Sequence, residues 1–237
     1  METTDTVVGS AGEDTVSLLV ASAISISKVE TLVGSTGNDT ITLLVAANTQ
    51  VSGVETVIGA SVADTVSLLV AGNVSVTGVE TVFGTSGADT ITMLDGSGAY
   101  TFAFASGDSS STATDQIVGW TGGNDKIDFG STSLAIEAVS PAAVSGTASI
   151  DSHGLATFFT SDSTVNLRIT AVEHALSTTN GATAGECAVF VDGAGNTYLF
   201  ISDGADGVSA NDLVIKLVGM NATTGIVIAS GDISSIT

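Results

Sequence analysis

Gly34-Ser35-Thr36-Gly37-Asn38-Asp39-Thr40-Ile41-Thr42-Leu43 sets a glycine, a polar turn and an aspartate ahead of a β-forming run. The same layout starts at Gly9, Gly59 and Gly84, at a constant interval of 25 residues. A fixed period in this range marks a solenoid, whose units bury their apolar faces only against their neighbours. Asp14, Asp39, Asp64 and Asp89 keep the interval, and so do the stretches Val29-Glu30-Thr31, Val54-Glu55-Thr56 and Val79-Glu80-Thr81. The chain opens inside such a unit, at Thr4-Asp5-Thr6-Val7-Val8-Gly9, and therefore reads as the carboxyl-terminal part of a longer protein.

Within a repeat the apolar residues alternate, as Ile41 and Leu43 do against Thr40 and Thr42, which is the period of a strand. Valine, isoleucine and threonine dominate and glycine punctuates, so each unit reads as three short strands, for example 40–45, 50–52 and 54–57. The expected fold is all-β: a parallel β-solenoid (β-roll or β-helix) of 25-residue coils. Stacked coils of that length place Val16, Ile41, Val66 and Ile91 in one interior column, with Leu18, Leu43, Leu68 and Met93 beside it. Parity turns two further columns outward, Leu19/Leu44/Leu69/Leu94 and Val7/Leu32/Val57/Val82. Either β-bulges bring them back in, the favoured reading, or they form a lateral contact surface.

The 237 residues carry 25 acidic and only four basic side chains, for a net charge of −21. With Lys28, Lys126, Arg168 and Lys216 as the sole cations, the chain cannot neutralise a phosphate backbone, so nucleic acid is not an expected partner. No apolar run is long enough to cross a bilayer, which argues against direct membrane insertion. A hydrophobic content of 43% excludes an acidic disordered tail. One cysteine, Cys187, forms no internal disulfide.

If the 25-residue coils stack in register, equivalent aspartates in adjacent coils come within about 5 Å of one another. Two unit charges at that distance repel by about 0.8 kcal/mol in water and roughly 3 kcal/mol at an effective dielectric near 20. A hard cation between coils reverses that penalty, and calcium suits carboxylate and carbonyl oxygens in flexible geometry. The competing reading has each aspartate cap its own turn through backbone N–H groups. The Asp5/Glu30/Glu55/Glu80 column reads as solvated exterior.

These turns resemble the hemolysin-type calcium-binding repeats of RTX proteins, whose nonapeptide is Gly-Gly-x-Gly-x-Asp-x-apolar-x. The resemblance implies calcium ligation by Gly9, Gly12 and Asp14; by Gly34, Gly37, Asn38 and Asp39; by Asp64; and by Gly84, Gly87 and Asp89. The second glycine of the family is here Ser10, Ser35, Ala60 or Thr85, and Val62 replaces the family's other glycine in the third copy. Val62 is a poor residue for a left-handed turn, which makes Asp64 the weakest position. Asp115-Gln116-Ile117 and Gly123-Asn124-Asp125-Lys126-Ile127-Asp128 look like the segment that closes the β-roll in serralysin-type secreted proteases, which adds Asp125 to the implied ligands.

The period stops after Phe102, so the expected division is 1–105 for the solenoid and 106–237 for a β-sandwich-like carboxyl-terminal secretion and capping domain. Strands are expected over 188–191, 197–202, 213–217 and 226–229, with a short helix at 171–177. Asp203 and Asp206 share an Asp-Gly-Ala-Asp-Gly loop which, with Asp212 five residues past its end, fits either turn chemistry or a further calcium. The chain has no His-Glu-x-x-His, nucleophile elbow or phosphate loop, and its two histidines, His153 and His174, lack a third ligand, so no enzyme is expected.

Two roles follow from these resemblances. One is a calcium-stabilised structural module of a secreted S-layer or adhesin-like protein, with a type I secretion signal, lateral contacts between copies and folding on calcium outside the cell. The other is the export and folding tail of a secreted RTX hydrolase whose catalytic domain lies upstream.

Overall fold

The computed structural model describes residues 5–96, 98–130, 132–140, 142–181 and 183–237; Thr4 of the opening motif lies outside them. Short strands follow one another through the repeats: β1 Asp5–Val8, β2 Thr15–Ser17, β3 Ala23–Ser27, β4 Thr31–Val33, β5 Thr40–Leu43, β6 Asn48–Ser52, β7 Thr56–Ile58, β8 Thr65–Leu68, β9 Asn73–Thr77, β10 Thr81–Phe83, β11 Thr90–Met93 and β12 Thr101–Ala103. Then come β13 Asp115–Val118, β14 Lys126–Asp128, the small hairpin of β15 Ser149–Ile150 and β16 Ala156–Thr157, and helix α1 Val165–Asn180. The chain ends in β17 Cys187–Val191, β18 Thr197–Ile201, β19 Leu213–Val218, β20 Ile226–Ala229 and β21 Asp232–Ile236.

Successive strands alternate between two sheets. One is ordered β1-β3-β5-β7-β9-β11-β13-β19-β18-β17 and the other β2-β4-β6-β8-β10-β12-β14-β21-β20. The all-β solenoid is as expected, in its flattened two-sheet form, but the coil is not 25 residues long. Ile24 pairs with Ile41, Ile41 with Val57 and Val57 with Val76, steps of 17, 16 and 19 residues. Each coil holds two strands and each 25-residue repeat holds three, so a repeat advances the chain by one and a half coils. Equivalent strands of consecutive repeats therefore fall on opposite sheets: β2 and β8 on one, β5 and β11 on the other.

This phase corrects the expected interior columns. Val16 stacks on Leu32 and Ile41 on Ile24 and Val57, so Val16 and Ile41 are not neighbours. Leu32, Val57 and Val82 need no bulge to turn inward, because each is the centre of its own three-residue strand and is at most 1% exposed. Leu19, Leu44, Leu69 and Leu94 do stay outside, at 93, 49, 44 and 56% exposure, which overturns the bulge reading for them. They lie just past the strand ends, where the chain turns from one sheet to the other. Because the repeat spans one and a half coils, Leu19 and Leu69 occupy one lateral edge of the roll, and Leu44 and Leu94 the other.

Both sheets run on past residue 105. β13 and β14 complete another coil on β11 and β12 with parallel pairing, after an excursion across 105–114. β19 then adds parallel to β13, and β18 and β17 follow antiparallel, while β21 closes the second sheet against β14. This last part of the first sheet is buried on both faces, which is why its strands read as continuous apolar runs. Cys187, Val189, Leu199, Ile201, Leu213, Ile215 and Leu217 join the interior of the roll. Ala188, Phe190, Phe200 and Val214 point the other way, into a second core with Ile169, Val172, Ala175 and Leu176 of α1. Thr164 caps that helix, its hydroxyl accepting the Leu167 N–H at 3.3 Å.

Candidate metal centre

Five turns of the roll carry an aspartate four residues after a backbone N–H that it binds. The outer carboxylate oxygen, Oδ2, accepts from Ser10, Ser35, Ala60, Thr85 and Thr121 for Asp14, Asp39, Asp64, Asp89 and Asp125 respectively, at 2.6–2.7 Å. Where that donor residue has a hydroxyl, as Ser10, Ser35, Thr85 and Thr121 do, the hydroxyl donates to the same oxygen at 2.9–3.1 Å. The position where the family carries its second glycine thus supplies a second donor to the aspartate. Ala60 cannot, and Asp64 has one bond fewer.

The other oxygen reaches across to the preceding coil. Asp39, Asp64 and Asp89 accept from the N–H groups of Ser22, Ala47 and Gly72, each 17 residues earlier, at 2.7–2.9 Å. Asp125 takes the Tyr100 N–H at 3.1 Å in the same way. The backbone N–H of each aspartate is in turn bound by the following coil: Asp14 donates to Glu30, Asp39 to Glu55 and Asp64 to Glu80, at 2.7–2.8 Å, and Asp89 donates to Asp115 at 2.8 Å. The glutamates are therefore not idle exterior, as the sequence reading has them, but the next rung of a carboxylate–amide ladder. Their 16-residue offset is hidden in a 25-residue repeat.

The aspartates themselves do not stack. Asp14 and Asp64 precede β2 and β8, which β4 and β6 separate, so they are three rungs or about 14 Å apart. Asp39 and Asp89 are separated likewise by β7 and β9 on the opposite sheet. At that distance two charges repel by only about 0.3 kcal/mol in water, before screening. The expected column of mutually repelling aspartates is thus corrected, because the strand pairing inserts two other turns between each pair. Capping of turns, the competing reading, describes the bonds of Asp14, Asp39, Asp64, Asp89 and Asp125.

The glycines have a steric cause. A Cβ on Gly9, Gly34 or Gly59 would sit 1.6–1.8 Å from the carbonyl oxygen of Lys28, Gly53 or Gly78 on the next coil. Gly12, Gly37 and Gly87 are not in the left-handed region, so Val62 is tolerated at their position. The left-handed residues are instead Lys28, Gly53 and Gly78, with φ of 56, 62 and 63°. Asn38 is exposed on its turn.

The fourth repeat differs. A Cβ on Gly84 would meet no carbonyl but two carboxylate oxygens, Asp89 Oδ2 at 3.1 Å and Asp115 Oδ2 at 3.2 Å. Asp115 is fully buried, its N–H donates to the Ser109 hydroxyl and its Oδ1 takes the Asp89 N–H, but Oδ2 has no partner. Burial, followed by the charges of Asp89 and Asp108, pushes its pKa up to about 8, against the pull of the Asp89 N–H. Among the described residues no three acidic, histidine or cysteine side chains converge as a metal cage. The chemistry of the donor set nonetheless separates the turns. At Asp39, Asp64, Asp89 and Asp125 both oxygens already accept N–H groups, and Oδ1 of each keeps one further lone pair. Asp115 alone adds a buried oxygen with no partner, and it stands beside the Asp89 oxygen that takes the Thr85 N–H and hydroxyl, a pair that fits one hard cation.

The family described as Peptidase M10 serralysin C terminal matches residues 1–148, well over half of the 237. The match takes in all four repeats and the 115–129 segment, and it concerns the repeat module rather than the catalytic domain of those peptidases. A search of curated proteins gives no match. Alternating two-sheet coils, GxxGxD-type turns and the family match agree: the chain belongs to the serralysin C-terminal family and is an RTX-type repeat protein.

Proposed function

We propose that this chain is a non-catalytic β-roll module of a secreted surface protein, S-layer or adhesin-like, that carries its type I secretion signal and is completed by calcium outside the cell. The observation that carries the calcium reading is the unpaired Asp115 oxygen beside Asp89. Asp115 and Asp89 are the residues that would hold the ion, and its charge would offset that of two buried carboxylates. Elsewhere in the roll, amide hydrogen bonds to Asp39, Asp64 and Asp125 take over the role that the resemblance gives to metal. Gly9, Gly12, Gly34, Gly37, Asn38 and Gly87 then shape turns, and Gly84 leaves room for the ion. Because equivalent aspartates lie three rungs apart and each aspartate is joined to the glutamate of the next coil by an amide hydrogen bond, the calcium-dependent step of folding narrows to the coil of β13 and β14, which the capping strands build upon.

The exposed leucines on both edges support lateral contact between copies: Leu44 on one edge and Leu69 on the other each stand beside an exposed valine, Val45 and Val70. The serralysin name of the matching family favours the other reading, the export and folding tail of a secreted hydrolase. Among the described residues no helix is long and apolar enough to cross a membrane.

Calcium uptake by the purified chain, with Asp115→Asn beside it, tests the site. One ion lost in the variant is the expected result, and equal uptake refutes it. Light scattering of the chain in millimolar calcium tests assembly: growth that Leu44→Ser and Leu69→Ser reduce is expected, and a monomer throughout favours the tail reading.

A further inference from the structure

The second core hides another carboxylate that the roll does not use. Glu173 lies in the middle of α1, is 1% exposed, and its Oε1 accepts the Gly207 N–H at 3.1 Å. Its Oε2 is buried without a partner. The residues around it are acidic. Asp212 and Asp203 lie close enough to act on it electrostatically; the Gly207 N–H and the Ser202 hydroxyl pull the other way in part, and no basic side chain does. Burial first, then those two charges, pushes the Glu173 pKa up to about 7.

The loop between β18 and β19 holds this group in place through its own bonds. Asp212 accepts the N–H groups of Asp203 and Ser209 at 2.9 and 2.7 Å, and Asp203 accepts the Ala205 N–H at 2.8 Å and the Ser209 hydroxyl at 2.7 Å. Each of those oxygens keeps a second lone pair. Between this loop and α1 a cleft opens, with Glu173 in its lining together with Thr170, His174, Asp206 and Gly207. Asp206 is exposed at the rim. His174 lines the cleft with its Nδ1 already engaged, by the Thr147 hydroxyl and the Gly146 carbonyl, both at 2.9 Å.

We propose that this cleft is a second cation site, for a hard divalent ion such as calcium, with the Glu173 carboxylate as its floor and Asp206 at its mouth. A buried oxygen with no donor is the half of a coordination bond that the protein supplies. Burying an unpaired carboxylate among others is costly, and a divalent ion is the complement that removes the cost without a basic side chain. Apart from His174, whose Nδ1 is engaged, the polar side chains of the lining are carboxylates and hydroxyls, which suit calcium rather than a thiol-seeking metal. The site is independent of the roll: it ties α1 to the 203–212 loop and hence to the strands that cap the last coil.

Calcium titration calorimetry of the full chain, run on the wild type, Glu173→Gln, Asp206→Asn and Asp115→Asn, decides it. Glu173→Gln is near-isosteric and is expected to take up one calcium fewer. Asp206→Asn alters an exposed side chain, so its folding is not at issue, and it is expected to weaken one binding step at least tenfold. Wild-type uptake by both variants overturns the proposal. So does a Glu173→Gln chain that gains stability in chelator while its calcium binding is unchanged, because Glu173 then holds a proton. Loss of an ion in Asp115→Asn alone speaks only to the roll site, so the two proposals fail separately.

Discussion

Glu55 Oε2 accepts the backbone N–H of Asp39 at 2.7 Å, from one coil further along the roll. The bond ties two coils at a turn, where the sheet ladder has already ended. It also orients the Asp39 main chain while the Asp39 carboxylate holds Ser22 of the coil before.

Glu55→Ala leaves that N–H without its acceptor and is expected to cost about 1–2 kcal/mol, roughly 2–8 °C in a chain of this size, whereas Glu55→Gln keeps an acceptor and is expected to cost less. Thermal unfolding followed by circular dichroism checks both. Equal melting of the alanine variant and the wild type would show the bond to be idle.

Lys28 adopts a left-handed conformation that Gly53 and Gly78 adopt in the following repeats. Replacing it by glycine is expected to stabilise the roll by about 1 kcal/mol, because a side chain with a Cβ is strained there. Gly53→Ala should do the reverse by a similar amount. The nearest atom to a Cβ at Gly53 is 3.5 Å away, so the cost is conformational rather than steric. Denaturant midpoints of the two variants give the sign.

Ala60 is the turn residue that cannot bond its aspartate through a side chain. Ala60→Ser is expected to add a bond to Asp64 worth about 0.5–1.5 kcal/mol, and Ser35→Ala to remove its counterpart at Asp39. Chemical denaturation of the pair tests whether the hydroxyl at this position is structural.

Asp115 gives the roll a pH dependence in chelator. Its pKa rises from 3.8 unfolded to about 8 folded, so between those values the folded state binds more protons. Stability is then present in full below pH 4 and falls as pH rises towards 8, by at most about 1.4 kcal/mol per unit from this one group. Asp115→Asn is expected to flatten that slope, since an amide keeps the acceptor for the Asp89 N–H and adds a donor. Unfolding free energies from pH 4 to 8 in EDTA measure it. An unchanged slope in the variant would place the titration elsewhere.

Much of the fold was legible because strand periodicity and the 25-residue interval are local signals. Ile41 and Leu43 alternate as read, and the four strands expected between 188 and 229 fall within a residue of their observed bounds. The phase of the solenoid was not legible. Nothing in the interval itself says that three strands share one and a half coils, and a half-coil offset moves every second aspartate to the other sheet. That single unknown turned a column of stacked aspartates into aspartate–glutamate pairs on adjacent coils, each joined by an amide hydrogen bond. The value of 16 separating Asp14 from Glu30, Asp39 from Glu55 and Asp64 from Glu80 was present in the sequence as the signal for it. Asp115 and Glu173 stood outside the repeats, and only burial marks them.

Hydrogen exchange read by mass spectrometry, in EDTA and again in millimolar calcium, bears most directly on how the roll is held. The amides of Asp39 and Asp64 should be protected in EDTA already, with calcium slowing exchange chiefly around 115–128 and in the 203–212 loop. Uniformly rapid exchange through all coils in EDTA, restored everywhere by calcium, would contradict a roll joined by carboxylate–amide bonds and would return metal to every turn.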